Sequence, residues 1–132
     1  MVDVVTIRRV GRAAPGVPFA PCLIVGQEIA ISGVIAHGIG DSMTAQAEAG
    51  FAEIAAMLAA AGGGIHNIYK VVIYVTDMAR RGEISAVRQR IFDGNFPCST
   101  LVEVKSLADP DALIEIDAFA NLGVDLRAAV DA

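Results

Sequence analysis

Few side chains in this sequence have chemistry to offer, and their spacing sorts them. Two acids, Glu115 and Asp117, stand two apart in Leu113-Ile114-Glu115-Ile116-Asp117-Ala118-Phe119-Ala120. In a strand, alternate side chains share a face. Ile114, Ile116, Ala118 and Ala120 then point one way, and Leu113, Glu115, Asp117 and Phe119 the other. The first set suits a core. The second mixes two large apolar side chains with two acids. A monomer's core would not take both acids unpaired, and a solvated face seldom carries both Leu113 and Phe119. The mixture predicts a face that meets another subunit, its acids turned to a cleft or to cationic partners. The plainer alternative is a half-wet sheet face with cross-strand Lys105–acid pairs.

His37, in Ala36-His37-Gly38, could act as a general base from a loop, as histidines do; solvation alone is the commoner fate of a loop histidine. His66, just after Gly62-Gly63-Gly64, reads as packing or as compensation of a helix dipole. Cys98 has no histidine beside it in sequence to activate it. It is expected on the core side of its strand, as a small apolar residue. Two histidines and two cysteines without short spacing predict no metal site. Gly38-Ile39-Gly40 lacks the third glycine of a dinucleotide fingerprint and reads as a turn. Arg80-Arg81 reads as a solvated cap.

These residues need elements to hold them. Gly11 to Pro21 holds three prolines and reads as a loop. Cys22–Val25 and Glu28–Ile35, split by Gly26-Gln27, predict a tight hairpin. Residues 42–61 carry an apolar stripe, Ala47, Phe51, Ile54, Ala55 and Leu58, at helical spacing. Asp41 or Ser42 would cap its start, and the triple glycine would end it. Lys70–Thr76, rich in β-branched residues, predicts a strand. Residues 82–93 predict a second helix, closed by Gly94 and Pro97. Strands Cys98–Lys105 and Ala112–Asn121 follow, with a turn at Asp109-Pro110-Asp111. In the first of these, Thr100, Val102 and Val104 are expected on the core side. Ser99, Leu101, Glu103 and Lys105 are expected on the side of Glu115. The order β-β-β-α-β-α-β-β predicts an α+β fold, a mixed sheet with both helices on one face.

The chain has 132 residues, which predicts one domain, 1–132. Its 13.7 kDa predicts a folded surface of about 6,600 Å². Hydrophobic residues make up 55%, high for a small monomer, which points to burial beyond one subunit. Ten basic residues against 15 acidic ones give a net charge of −5, which disfavours nucleic acid as a partner. Two cysteines are too few for a disulfide framework. Asp3 and the late pair Arg8-Arg9 are in the wrong order for a signal peptide. The apolar run Ile54–Ile65 is shorter than the roughly 18–20 residues of a membrane span. A cytoplasmic protein without membrane contact is expected.

The segment Asn95-Phe96-Pro97-Cys98-Ser99-Thr100-Leu101-Val102-Glu103-Val104, followed by Ile114-Glu115-Ile116-Asp117-Ala118-Phe119-Ala120, resembles the closing motif of the RidA/YjgF family. That family is also called the endoribonuclease L-PSP or translation-inhibitor family. Ile31-Ser32-Gly33, Gln46 with Phe51, Ile54, Leu58 and Ala61-Gly62, and the run Ile68 to Asp77 match as well. The likeness spans roughly residues 18–121. It implies a chorismate-mutase-like fold assembled as a homotrimer, with an inner barrel, helices outside and small-molecule clefts between subunits. Typical members hydrolyse enamines and imines to 2-keto acids and ammonia, with no metal or organic cofactor. By this resemblance Glu115 matches the water-positioning glutamate, and Ser32-Gly33 the pocket wall. Phe19 falls where many members place a tyrosine. The family's carboxylate-binding arginine aligns with Ser99, and a cysteine two residues on aligns with Leu101. Losing a charged hydrogen bond costs about 1.5–3 kcal/mol, roughly ten- to a hundredfold in recognition. Arg88 and Lys105 are the candidates to restore that charge. The other readings open to such a scaffold are a trimer that binds metabolites without converting them and, against the acidic charge, a ribonuclease.

Overall fold

A computed structural model describes residues 2–132. The hairpin forms where Gly26-Gln27 sits between β2 (Cys22–Val25) and β3 (Glu28–Val34), with Val25 opposite Glu28. Gly26 has φ +64°, a conformation that costs glycine little. A short β1 (Ile7–Val10) adds to β2 antiparallel. Helix α1 (Met43–Ala60) starts at Ser42, whose Oγ accepts the Ala45 N–H at 3.1 Å. Strand β4 (Ile68–Val75), helix α2 (Arg81–Phe92), β5 (Cys98–Glu103) and β6 (Ile114–Asn121) complete the order. Asp93, at φ +47°, makes the left-handed turn that ends α2, one residue before the expected Gly94. Single turns of 3₁₀ helix occupy Ile65–Asn67, Met78–Arg80 and Leu126–Ala128.

The six strands lie in the order β1-β2-β3-β6-β4-β5. The last strand in sequence is central, antiparallel to both β3 and β4. Only β4 and β5 run parallel, joined through α2. Both helices pack on one face. Met43, Ala47, Phe51, Ile54 and Leu58 of α1 join Ile84, Val87 and Phe92 of α2 and the inward strand residues in one core. Phe51 and Phe92 meet edge to face, with ring centroids 5.8 Å apart. Ile114, Ile116, Ala118 and Ala120 all face this core and are buried, as their alternation predicts. Glu115, Asp117 and Phe119 occupy the opposite face and are half-buried; Leu113, expected beside them, precedes the strand and packs against the core instead.

On β5 the expected faces are reversed. Ser99, Leu101 and Glu103 stand opposite Val71, Ile73 and Val75, whose side chains are core. They therefore lie on the helix side. Cys98, Thr100 and Val102 stand opposite Lys70, Val72 and Tyr74, on the face of Glu115, and Cys98 is exposed. Lys105 lies beyond the end of β5 and has no strand face at all. The cause is physical. An edge strand buries little on either side, so both of its alternating sets are mixed, and the crossover through α2 sets the register. Among the described residues no helix is long and apolar enough to cross a membrane.

Candidate functional site

Strand β6 presents Glu115 on the open sheet face. Across from it, β3 bulges. The register slips between Ile31 and Val34, so Ser32 and Gly33 together oppose one residue of β6. The slip brings the Gly33 backbone against the Glu115 carboxyl. A Cβ on Gly33 would lie 2.7 Å from both Cδ and Oε1 of Glu115, closer than any side chain tolerates. Partial burial pushes the Glu115 pKa up, and the nearby charge of Asp117 adds to this. Asp117 in turn accepts the Tyr74 hydroxyl at 2.9 Å, and that bond raises the tyrosine's own pKa. Among the described residues no cation lies within ion-pair distance of Glu115.

Ser32 ties the preceding loop to this place. Its Oγ donates to the Ala20 carbonyl at 2.8 Å, and its N–H donates to the Pro21 carbonyl at 3.0 Å. Phe19, one residue before Ala20, has 59% of its surface exposed. The Ser32 bonds fasten the end of its loop to the strand that carries Gly33, and Gly33 in turn abuts Glu115.

Arg88 and Ser99 form a second neighbourhood. Arg88 on α2 donates from Nη1 to Ser99 Oγ at 2.8 Å and from Nη2 to Ser85 Oγ at 3.2 Å. Phe92, Phe96 and Pro97 complete a hollow of about 240 Å³ around them. Partial burial lowers the Arg88 pKa. Its partners are hydroxyls, and among the described residues no carboxylate pairs with it. Leu101, two residues on, packs against the core. Within one chain the two neighbourhoods stand on opposite sides of the sheet.

The remaining candidates have other partners. His37 Nδ1 meets Asp109 Oδ2 at 2.6 Å, which binds the loop after β3 to the turn before β6. Asp109 is held below the usual carboxylate range, first by the Asp111 backbone N–H and then by His37. Gly38 and Gly40 take positive φ in a turn. Arg80 is not merely a solvated cap: it pairs with Glu83 at 2.9 Å. His66 Nδ1 is buried without a partner. Among the described residues no cluster of three or more His, Cys, Asp or Glu could hold a metal ion. Sequence reasoning missed Tyr74 as the partner of Asp117. The signal was in the strand pattern, since Tyr74 falls on the same side of β4 as Val72.

The architecture is that of an α+β domain with a candidate carboxylate on a sheet face that its own helices leave open. The family model for Endoribonuclease L-PSP matches residues 11–122, and the chain belongs to that family, the RidA/YjgF group. It is similar to the RutC family protein UK114 of Drosophila melanogaster, 26% identical over 117 residues, 84% of each chain. A protein of unknown function from Pseudomonas aeruginosa superposes with a TM-score of 0.90 at 37% identity, covering 96% of this chain and 99% of that one. The YjgF gene product of E. coli superposes with a TM-score of 0.75 at 29% identity, over 83% and 91% of the two chains.

Proposed function

We propose that this protein is a trimeric hydrolase of enamines or imines, with its sites in clefts between subunits. The observation that carries the reading is the setting of Glu115: half-buried, against Gly33, on the uncovered sheet face, and with no cationic partner among the described residues. In the reaction, water adds to the imine carbon while Glu115 takes a proton from the water and passes it to the imine nitrogen. In the resulting carbinolamine the carboxylate moves a second proton from the hydroxyl to nitrogen, the carbon–nitrogen bond breaks, and ammonia leaves a carbonyl behind. A carboxylate whose pKa is raised by burial suits both halves of that transfer. Ser32, Gly33 and Phe19 form the wall on the Glu115 side.

The substrate's own carboxylate needs a cation. Ser99 has none, but the Arg88 guanidinium reaches Ser99 Oγ from the neighbouring helix. An arginine held by neutral hydroxyls keeps its full charge for an incoming anion. Since Arg88 and Glu115 occupy opposite sides of one sheet, the proposed cleft takes Arg88 and Leu101 from one subunit and Glu115 from the next. The fold family supports the trimer, and the acidic charge favours a small molecule over nucleic acid as ligand. No cofactor is required, and a cytoplasmic location fits the reading. Glu115→Gln is expected to fold normally and to lose about a hundredfold or more in ammonia release from a 2-iminoacid. Unchanged release would remove Glu115 from the mechanism.

A further inference from the structure

We propose that Tyr74 is a positioning residue for Glu115 and acts through Asp117, holding this second carboxylate aside so that the exchangeable proton of the face belongs to one acid. The inference rests on the hydrolase reading for its purpose, though not for its geometry. Antiparallel pairing sets Tyr74 directly opposite Glu115, and Val72 opposite Asp117. All four side chains therefore share the open face. An aromatic side chain reaches past its direct partner to the diagonal neighbour. The Tyr74 hydroxyl does so here and donates to Asp117 Oδ2 at 2.9 Å.

Two carboxylates on one strand face, two residues apart, have another arrangement open to them. Left free, they turn toward each other, share one proton and titrate as a pair. A general base in such a pair keeps its proton in two places at once. The Tyr74 bond removes that arrangement, because a carboxylate that accepts a fixed hydroxyl is fixed in direction. Asp117 then stays beside Glu115 as a charge in one place, and it adds to burial in pushing the Glu115 pKa up. Tyr74 remains a donor, since its bond to Asp117 raises its own pKa. The other neighbours do not compete. Strand β3 brings Ser32 and Gly33, which carry no charge. Among the described residues neither Lys70 on β4 nor Lys105 beyond β5 pairs with either acid. Across the proposed cleft stands Arg88 of the partner subunit, the same in every variant below.

The test reads Glu115 itself and needs no substrate. Protein labelled with carboxyl-carbon-13 glutamate is titrated by NMR, and the Glu115→Gln spectrum identifies the resonance. Asp117→Asn is expected to move the Glu115 midpoint to lower pH, because the nearby charge is gone. Tyr74→Phe is expected to move it to higher pH and spread it over two steps, because the freed Asp117 carboxylate now shares the proton. Asp117→Asn/Tyr74→Phe is expected to titrate like Asp117→Asn alone, since Tyr74 has no acid left to hold. The acid limb of kcat/KM should move in the same order. An unmoved or lowered midpoint in Tyr74→Phe would overturn the proposal. So would an unmoved midpoint in Asp117→Asn, or a double variant that differs from it. The expected shifts in a protein that releases no ammonia would support the positioning of Glu115 and remove the hydrolase reading, so the two failures are told apart.

Discussion

A carboxylate pressed against backbone loses water that would stabilise its charge, and Glu115 shows the result as a raised pKa. Two predictions follow the sign of that shift. As a base, Glu115 must be ionised, so kcat/KM should fall on acidification with a midpoint above the ordinary glutamate range. For stability the sense is opposite. The folded state holds this proton more tightly than the unfolded chain, so the contribution is full in acid and fades as pH rises through the folded pKa. Glu115→Gln should therefore match wild type in acid and exceed it at neutral pH in urea unfolding; a destabilised variant at neutral pH would contradict this. Gly33 has ordinary backbone angles, so Gly33→Ala tests contact alone. Its methyl would meet Glu115 at 2.7 Å and displace the carboxyl, and turnover should drop about tenfold or more with the fold retained. Arg88→Gln should raise KM by about ten- to a hundredfold and change kcat less; an unchanged KM would count against its role. The importance of Glu115 was legible from its alternation with Leu113 and Phe119. Its contact with Gly33 was not, because a one-residue bulge leaves no mark in composition.

Elements place these residues through a few polar ties. Gln46 of α1 is 2% exposed. It donates to the carbonyls of Gly40 and Asp111 at 2.6 and 3.1 Å, and accepts the Leu113 N–H at 2.8 Å. One side chain thus fixes both loops that lead to the open face, and locks the start of β6. Gln46→Leu should cost at least about 2 kcal/mol, since it strands buried backbone groups, and urea unfolding will measure it. A neutral result would show that the loops do not need the tie. The hairpin, both helices and the central β6 could be read from turn chemistry and periodicity, because each has one clearly apolar face. The faces of β5 could not. Ser99-Leu101-Glu103 and Cys98-Thr100-Val102 are equally mixed, and only the parallel register with β4 decides between them. The position of β6 between β3 and β4 is likewise a matter of long-range pairing that local pattern does not encode.

At the scale of the molecule, the single chain exposes 7827 Å², against about 6,600 Å² for a protein of its mass. The excess accompanies an exposed apolar start, Val2, Val4, Val5 and Ile7, and the open sheet face with Val102 at 38% exposure. A trimer that buries this face accounts for it. Val102→Asp should then shift the species in sedimentation from three chains to one. The central claim is that Glu115 and Arg88 meet only across a subunit boundary, and mixing tests it most directly. Glu115→Gln and Arg88→Gln chains, each strongly impaired alone, are unfolded together, refolded as mixed trimers and assayed for ammonia release at substrate concentrations well below the KM of Arg88→Gln. The account predicts recovery of about a quarter of wild-type activity, because random assembly places an intact glutamate beside an intact arginine at that share of boundaries. Mixed trimers that stay as impaired as their parents would contradict it.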